Sequence, residues 1–227
     1  MDSRQAQLLV HIMEEYVRSK EPVGSKFLAG KYQLDVSPAT IRNDMAILED
    51  EGFITQPHIS AGRVPTERAY RYWIQHAPLP EVNRSECSTY EKTWDHNAPA
   101  EAVKSIAKSI VEYADGAVVV AFSPYEFYYT GLSALFRQPE FDEQPFTVSM
   151  ARVIDHLDAI LEKLVEKIHH QTVLIGRDNP FGKMCGFVGT NISVGSQNGC
   201  IGILGPQRMD YPMHMARMNA LGAIINS

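Results

Sequence analysis

Between residues 37 and 72 the chain reads Ser-Pro-Ala-Thr-Ile-Arg-Asn-Asp-Met and then, past a glycine at 52, Ser-Ala-Gly-Arg-Val-Pro-Thr-Glu-Arg-Ala-Tyr-Arg-Tyr. Few folds accommodate both strings in that order. Ser37 suits an N-cap, and Pro38 suits the first helical position, where a missing N–H costs nothing. Ile41, Met45 and Leu48 give the helix one apolar face. The opposite face carries Ala39, Thr40, Asn43 and Ala46, with Arg42 to one side. Small residues let such a helix sit deep in a major groove, where Asn reads adenine and Arg reads guanine or holds phosphate.

The flanking residues complete a winged helix-turn-helix. Leu8, Leu9, Ile12, Tyr16 and Val17 predict an amphipathic helix from Ser3 to Lys20, broken by Glu-Pro-Val-Gly-Ser. Ser25 can cap a short helix with Phe27, Leu28 and Tyr32, and Gln33 to Val36 make the turn before the recognition helix. Gly52 ends that helix, Phe53 to Gln56 start a wing with its tip at His58 to Arg63, and Thr66 caps a closing helix. The expected DNA-binding residues are Lys26, Ser37, Thr40, Arg42, Asn43, His58, Arg63 and Arg68. Thr40, Arg42 and Asn43 would read bases, and Lys26, Arg63 and Arg68 would contact phosphates.

Charge does not announce a nucleic-acid binder. The net charge of the 227 residues is −6, and residues 1–76 hold nine Lys and Arg against ten Asp and Glu. Indiscriminate coating of DNA is excluded, so binding depends on Lys26, Arg42, Arg63, Arg68 and Arg71 converging on one side. Asp35 and Glu49 to Glu51 fall toward helix ends, away from the expected groove. Three cysteines without C-x-x-C spacing argue against a disulfide framework and for a reduced, cytoplasmic setting. No apolar run near 18 residues predicts a membrane span. His169-His170, adjacent on a helix, diverge too far to share a metal. Asp155, Asp158 and Glu162 read as a solvated helix face, and Ser60 and Ser123 lack evident triad partners. No catalytic residue, metal or cofactor is expected.

The expected division is a winged helix over 1–76, a linker over 77–98, in which Asn83 to Asp95 could be helical, and a second domain over 99–227. In the last, Val103 to Ala114 have helical spacing, and Gly116 to Phe122 form a strand apolar enough to be covered on both faces. One helix is predicted from Arg152 to His170. Strands follow at 172–176, 184–194 and 199–204, the last two joined at Gly195-Ser-Gln-Asn-Gly199, where Asn-Gly favours a hairpin. Arg208 and Asp210 would pair locally before a last helix from Pro212, capped by Asp210. The class is α/β (α+β), with a small, mostly antiparallel sheet. Met213, Met218, Leu221 and Ile225 of the last helix are the expected dimerisation residues, since an inverted-repeat site demands two-fold symmetry.

Pro22-Val-Gly-Ser-Lys26, Ser37 to Asn43, Gln56-Pro-His58, Ser60-Ala-Gly-Arg-Val-Pro-Thr66 and Tyr70-Arg-Tyr72 resemble the HrcA family of bacterial heat-inducible transcription repressors. So do Tyr129-Thr-Gly-Leu-Ser133, Gln138-Pro-Glu-Phe141, Ile175-Gly176 with Asn179, and Gly202 through Tyr211. The resemblance implies a GAF-like second domain, here reduced and without the inserted dimerisation module of the family. It also implies a homodimer on an inverted-repeat operator upstream of chaperone operons, and control through the GroE chaperonin. The alternative is a winged-helix regulator whose second domain binds a metabolite.

Overall fold

The structure is a computed structural model that describes residues 1–32, 36–123, 125–142 and 144–226. Gln33, Leu34 and Asp35, most of the expected turn before the recognition helix, lie outside the described residues. The chain divides into two compact units, Met1–Pro78 and Leu79–Ser227.

The first unit contains α1 (Ser3–Ser19), α2 (Ser25–Lys31), α3 (Pro38–Asp50), β1 (Ile54–Thr55), β2 (Val64–Pro65) and α4 (Glu67–His76). Its core joins Leu9, Ile12 and Met13 of α1 to Leu28, Ile41, Leu48 and Trp73. The caps follow the sequence with two adjustments. Gly24, not Ser25, is the N-cap of α2, and Thr66 occupies the N-cap position of α4 without a capping bond. The Thr66 hydroxyl donates instead to the carbonyls of Gly52 and Phe53, fastening α4 to the end of α3. Glu15 is almost fully buried. Burial pushes its pKa up, but hydrogen bonds from Arg18, Lys31 and Tyr32 outweigh that and hold it below the usual range.

The second unit runs α5 (Arg84–Thr93), α6 (Pro99–Ala114), β3 (Ala117–Ala121), β4 (Phe127–Thr130), α7 (Leu132–Phe136), α8 (Gln144–Asp155), α9 (Leu157–Lys167), β5 (Thr172–Ile175), β6 (Cys185–Val194), β7 (Gln197–Pro206) and α10 (Tyr211–Ile225). The sheet order is β4-β3-β7-β6-β5, and every pairing is antiparallel. All five residues of β3 are buried, as its apolar run implies. Ala117, Val119 and Ala121 meet side chains of α7, α8 and α9, while α6 and α10 cover the opposite face.

Four features differ from expectation. The expected linker is part of the second unit: α5 forms where Asn83 to Asp95 could be helical and packs on α6 and α10, with Tyr90 as its fully buried anchor. The helix predicted from Arg152 to His170 is two, interrupted at His156, with α8 beginning earlier. The β6–β7 turn is Gly195-Ser196, not Asn198-Gly199: Val194 pairs with Gln197, and Gly195 has φ +61°. Glycine at the first central position suits a two-residue type II′ turn. Arg208 pairs with Glu140 at 2.6 Å rather than with Asp210, which caps α10 as expected through the Met213 N–H.

Two packing devices fix this unit. Gly189 and Gly202 face each other across β6 and β7, and the Phe187 ring lies over both. A Cβ on Gly202 would fall 2.2 Å from that ring, which Phe181 backs at 5.3 Å. Cys185 and Cys200, on the same two strands, are free thiols whose pKa burial pushes up to about 12. On the other face, buried Glu86 accepts from Arg217 Nε at 2.8 Å and from the Tyr90 hydroxyl, joining α5 to α10. Arg217 also lies 3.1 Å from Nδ1 of buried His214.

Gly202→Ala should destabilise the chain by roughly 1–3 kcal/mol through overpacking, measured by denaturant unfolding. His214 gives a pH signature. Burial, then the Arg217 charge, push its pKa down from 6.5 to about 3, so the folded state keeps it neutral. The unfolded chain takes up the proton first, so stability is full above the ordinary histidine value and falls with acidification toward the folded one. Between pH 7 and 5 the loss should be about 2 kcal/mol. His214→Gln should flatten that part of the stability–pH curve.

Candidate nucleic-acid interface

The N-terminal half of α3 is presented outward by what holds its other side. Ile41, Met45 and Leu48 are buried, and so is Asp44, a carboxylate on the apolar face. Arg4 of α1 meets it with two hydrogen bonds of 2.8 Å, Nε to Oδ2 and Nη2 to Oδ1. A bidentate pair of this kind fixes orientation as well as distance. With Asp44 held inward, Ala39, Arg42, Asn43 and Ala46 are exposed. Ser37 Oγ accepts from the Thr40 N–H at 3.1 Å and shares a 3.0 Å hydrogen bond with the Thr40 hydroxyl. Ser37 therefore serves as the helix cap, and Thr40 is partly engaged by it.

The wing is tied to the body at its base. Val23 and Arg63 exchange backbone hydrogen bonds of 2.9 Å in both directions, adding a bridge beside β1 and β2. Gly62 is required there, because a Cβ would lie 2.6 Å from the Pro22 and Val23 backbone. Beyond it, Ser60 adopts φ +74°, and His58 and Ile59 stand exposed at the tip, Ile59 at 92%. A cleft of about 420 Å³ lies between the start of α2, α3 and the wing, lined by Lys26, Arg42, Met45, Gln56, Ser60 and Arg63.

Lys26, Arg42 and Arg63 line this one cleft, whereas Arg68 and Arg71 are engaged along α3 and α4. Lys26 and Arg42 are exposed, and among the described residues neither has an ion-pair partner. Arg63 is paired to Glu49, with Nη2 2.8 Å from Oε2. Arg68 donates to the Glu51 carbonyl at 2.5 Å and lies over the Phe53 ring, 4.5 Å from its centroid, so it caps the end of α3. Arg71 pairs with Glu67 along α4. Sequence reasoning missed Arg4 and Asp44, although an aspartate among apolar positions of a helix signals a buried partner.

The expected dimer surface is corrected in large part. Met218, Leu221 and Ile225 are buried within their own unit, and α10 lies on β6 with Gly222 against Thr190. Only Met213 of the four is partly exposed. The exposed apolar residues of this unit include Tyr125, Phe127 and Tyr129, at and before the edge strand β4. Among the described residues no three His, Cys, Asp or Glu side chains gather as a metal-binding set. No helix among them is long and apolar enough to cross a membrane.

Comparison with known proteins separates the two units. Residues 11–64 match the family described as DeoR-like helix-turn-helix domain, and residues 77–215 match HrcA protein C terminal domain. A heat-inducible transcription repressor HrcA of Bifidobacterium animalis subsp. lactis is 58% identical over 78 residues, which cover 34% of this chain and 21% of that protein. That of Kineococcus radiotolerans is 62% identical over 73 residues, covering 32% and 21%. The match thus spans about a fifth of the length of these curated relatives. A solved structure described as a hypothetical protein superposes with a TM-score of 0.76 over 100% of this chain and 97% of that one, at 18% identity. At that identity the likeness shows the fold alone.

The different settings of Lys26 and Arg68 make a prediction. On duplex DNA, Lys26→Ala should flatten the dependence of log affinity on log salt by about 0.9, the effect of one lost phosphate contact. Arg68→Ala should leave that slope unchanged and lower the thermal midpoint of the first unit.

Proposed function

The chain belongs to the HrcA family, and from that premise we propose that it is a transcription repressor which binds an inverted-repeat operator as a homodimer. The observation that carries the reading is α3, with Arg42 and Asn43 outward and Asp44 locked inward by Arg4. Bases are read by Arg42 and Asn43, with Thr40 contributing beside its cap Ser37. Lys26 holds a phosphate, and the wing tip at His58 and Ile59 follows the neighbouring groove. Arg63 and Arg68 act chiefly by fixing the wing and the end of α3. Repression needs no catalytic step, and the site of action is the cytoplasm, where the DNA lies.

The relatives' name, heat-inducible transcription repressor, supports chaperone operons as targets. Heat would divert GroE to unfolded proteins and leave the repressor without the chaperonin that keeps it active. The metabolite-sensing alternative gains little from the crevice between the sheet and α8, lined by Val119, Met150 and Leu157. Its volume is about 10 Å³, room for one water, whereas small-molecule sites run to several hundred cubic ångströms.

Footprinting on chaperone promoters tests the reading, with refolding from denaturant in the presence and absence of GroE and ATP as its second arm. Protection over an inverted repeat is expected, with recovery of operator binding greater in the GroE arm. Asn43→Ala should cost roughly 1–3 kcal/mol at the operator and relax discrimination there. Unchanged operator preference in that variant would sink the base-reading assignment.

A further inference from the structure

We propose that Glu49 positions the wing against the recognition helix and so sets how sharply the chain distinguishes one DNA sequence from another. This rests on the repressor reading above. Glu49 stands in the last turn of α3 with its side chain 31% exposed. Its Oε1 accepts from the Gln56 backbone N–H at 3.1 Å, just past β1. Its Oε2 accepts from Arg63 Nε at 2.9 Å and Nη2 at 2.8 Å, just before β2. One carboxylate therefore grips both legs of the wing hairpin. Gln56 extends the grip by donating through Nε2 to the Ala61 carbonyl at 3.0 Å, across the wing loop.

The two wing strands are only two residues each, too short to fix the hairpin alone. Braced by Glu49, the tip at His58 and Ile59 approaches DNA in one register relative to Arg42 and Asn43. The brace also neutralises Arg63. A freed guanidinium would seek phosphates on any sequence, adding affinity that carries no information. Glu49 thus exchanges sequence-independent attraction for a fixed geometry.

The test uses the full chain and a duplex selected by the wild type from a randomised library, compared with a scrambled duplex of the same composition. Relative to wild type, Glu49→Gln should bind the scrambled duplex more tightly, with a log–log salt slope steeper by about 0.9. Its selected-to-scrambled affinity ratio should fall at least tenfold. Arg63→Gln should lose the ratio similarly while binding scrambled DNA more weakly. In the double variant Glu49→Gln/Arg63→Gln the salt slope should return to the wild-type value and the ratio should stay low. An unchanged ratio in Glu49→Gln overturns the inference, as does a parallel loss of affinity for both duplexes, which would mark a merely structural role. A wild-type selection that enriches no sequence overturns the repressor reading itself, and the inference falls with it.

Discussion

A carboxylate on the buried face of a helix has to be met by a cation, and the first unit is arranged around that demand. Asp44 can enter the core only because Arg4 reaches it from α1 with both of its oxygens satisfied. An unpaired carboxylate there would be driven outward toward water, and turning α3 to release it would withdraw Asn43, its neighbour in sequence, from the exposed face. Glu15 imposes the same kind of constraint between α1 and α2, where Arg18, Lys31 and Tyr32 converge on it. Buried acids thus set the directions of the helices, and apolar packing fills the space between them.

In the second unit the residues that look most like motif chemistry are structural. Gly131, with φ +84°, leaves room for Val111 and the Gly116 carbonyl, which a Cβ would meet at 2.6 and 2.7 Å. Asn179 donates to the Cys185 carbonyl and accepts from the Phe181 N–H, holding the segment before β6. Arg208 reaches both Glu140 and Gln138, so two distant sequence motifs meet in one ion pair. Glu86, Tyr90, Arg217 and His214 do similar work on the opposite face, tying α5 to α10.

The winged helix was legible in the sequence because its signals are local. A cap, a proline and a three-four apolar repeat are set by neighbours a few residues away, and α3 begins and ends where they place it. For Arg63 and Arg68 the sequence shows the charge but not the partner within the fold. Glu49 lies 14 residues from Arg63, and the Glu51 carbonyl lies 17 from Arg68. The same limit explains α10. The apolar character of Met213, Met218, Leu221 and Ile225 is plain in the sequence, but which of them the sheet covers depends on β6 and β7, not on the helix. β4 went unseen because only four residues form it, and its alternation of exposed and half-buried aromatic residues reads weakly over so short a stretch.

The depth of Cys185 and Cys200 bears on which stresses this chain can register. A thiol reacts with peroxide as its thiolate, and at about 12 the two groups are ionised to roughly one part in 10⁵ at pH 7. Oxidants would therefore leave the β6–β7 hairpin chemically untouched until the sheet had already opened. The pKa of Cys87, half-exposed on α5, is also raised, chiefly by burial and then by the charges of Glu86 and Glu91. An oxidative signal would thus reach the thiols of the β6–β7 hairpin only after physical unfolding.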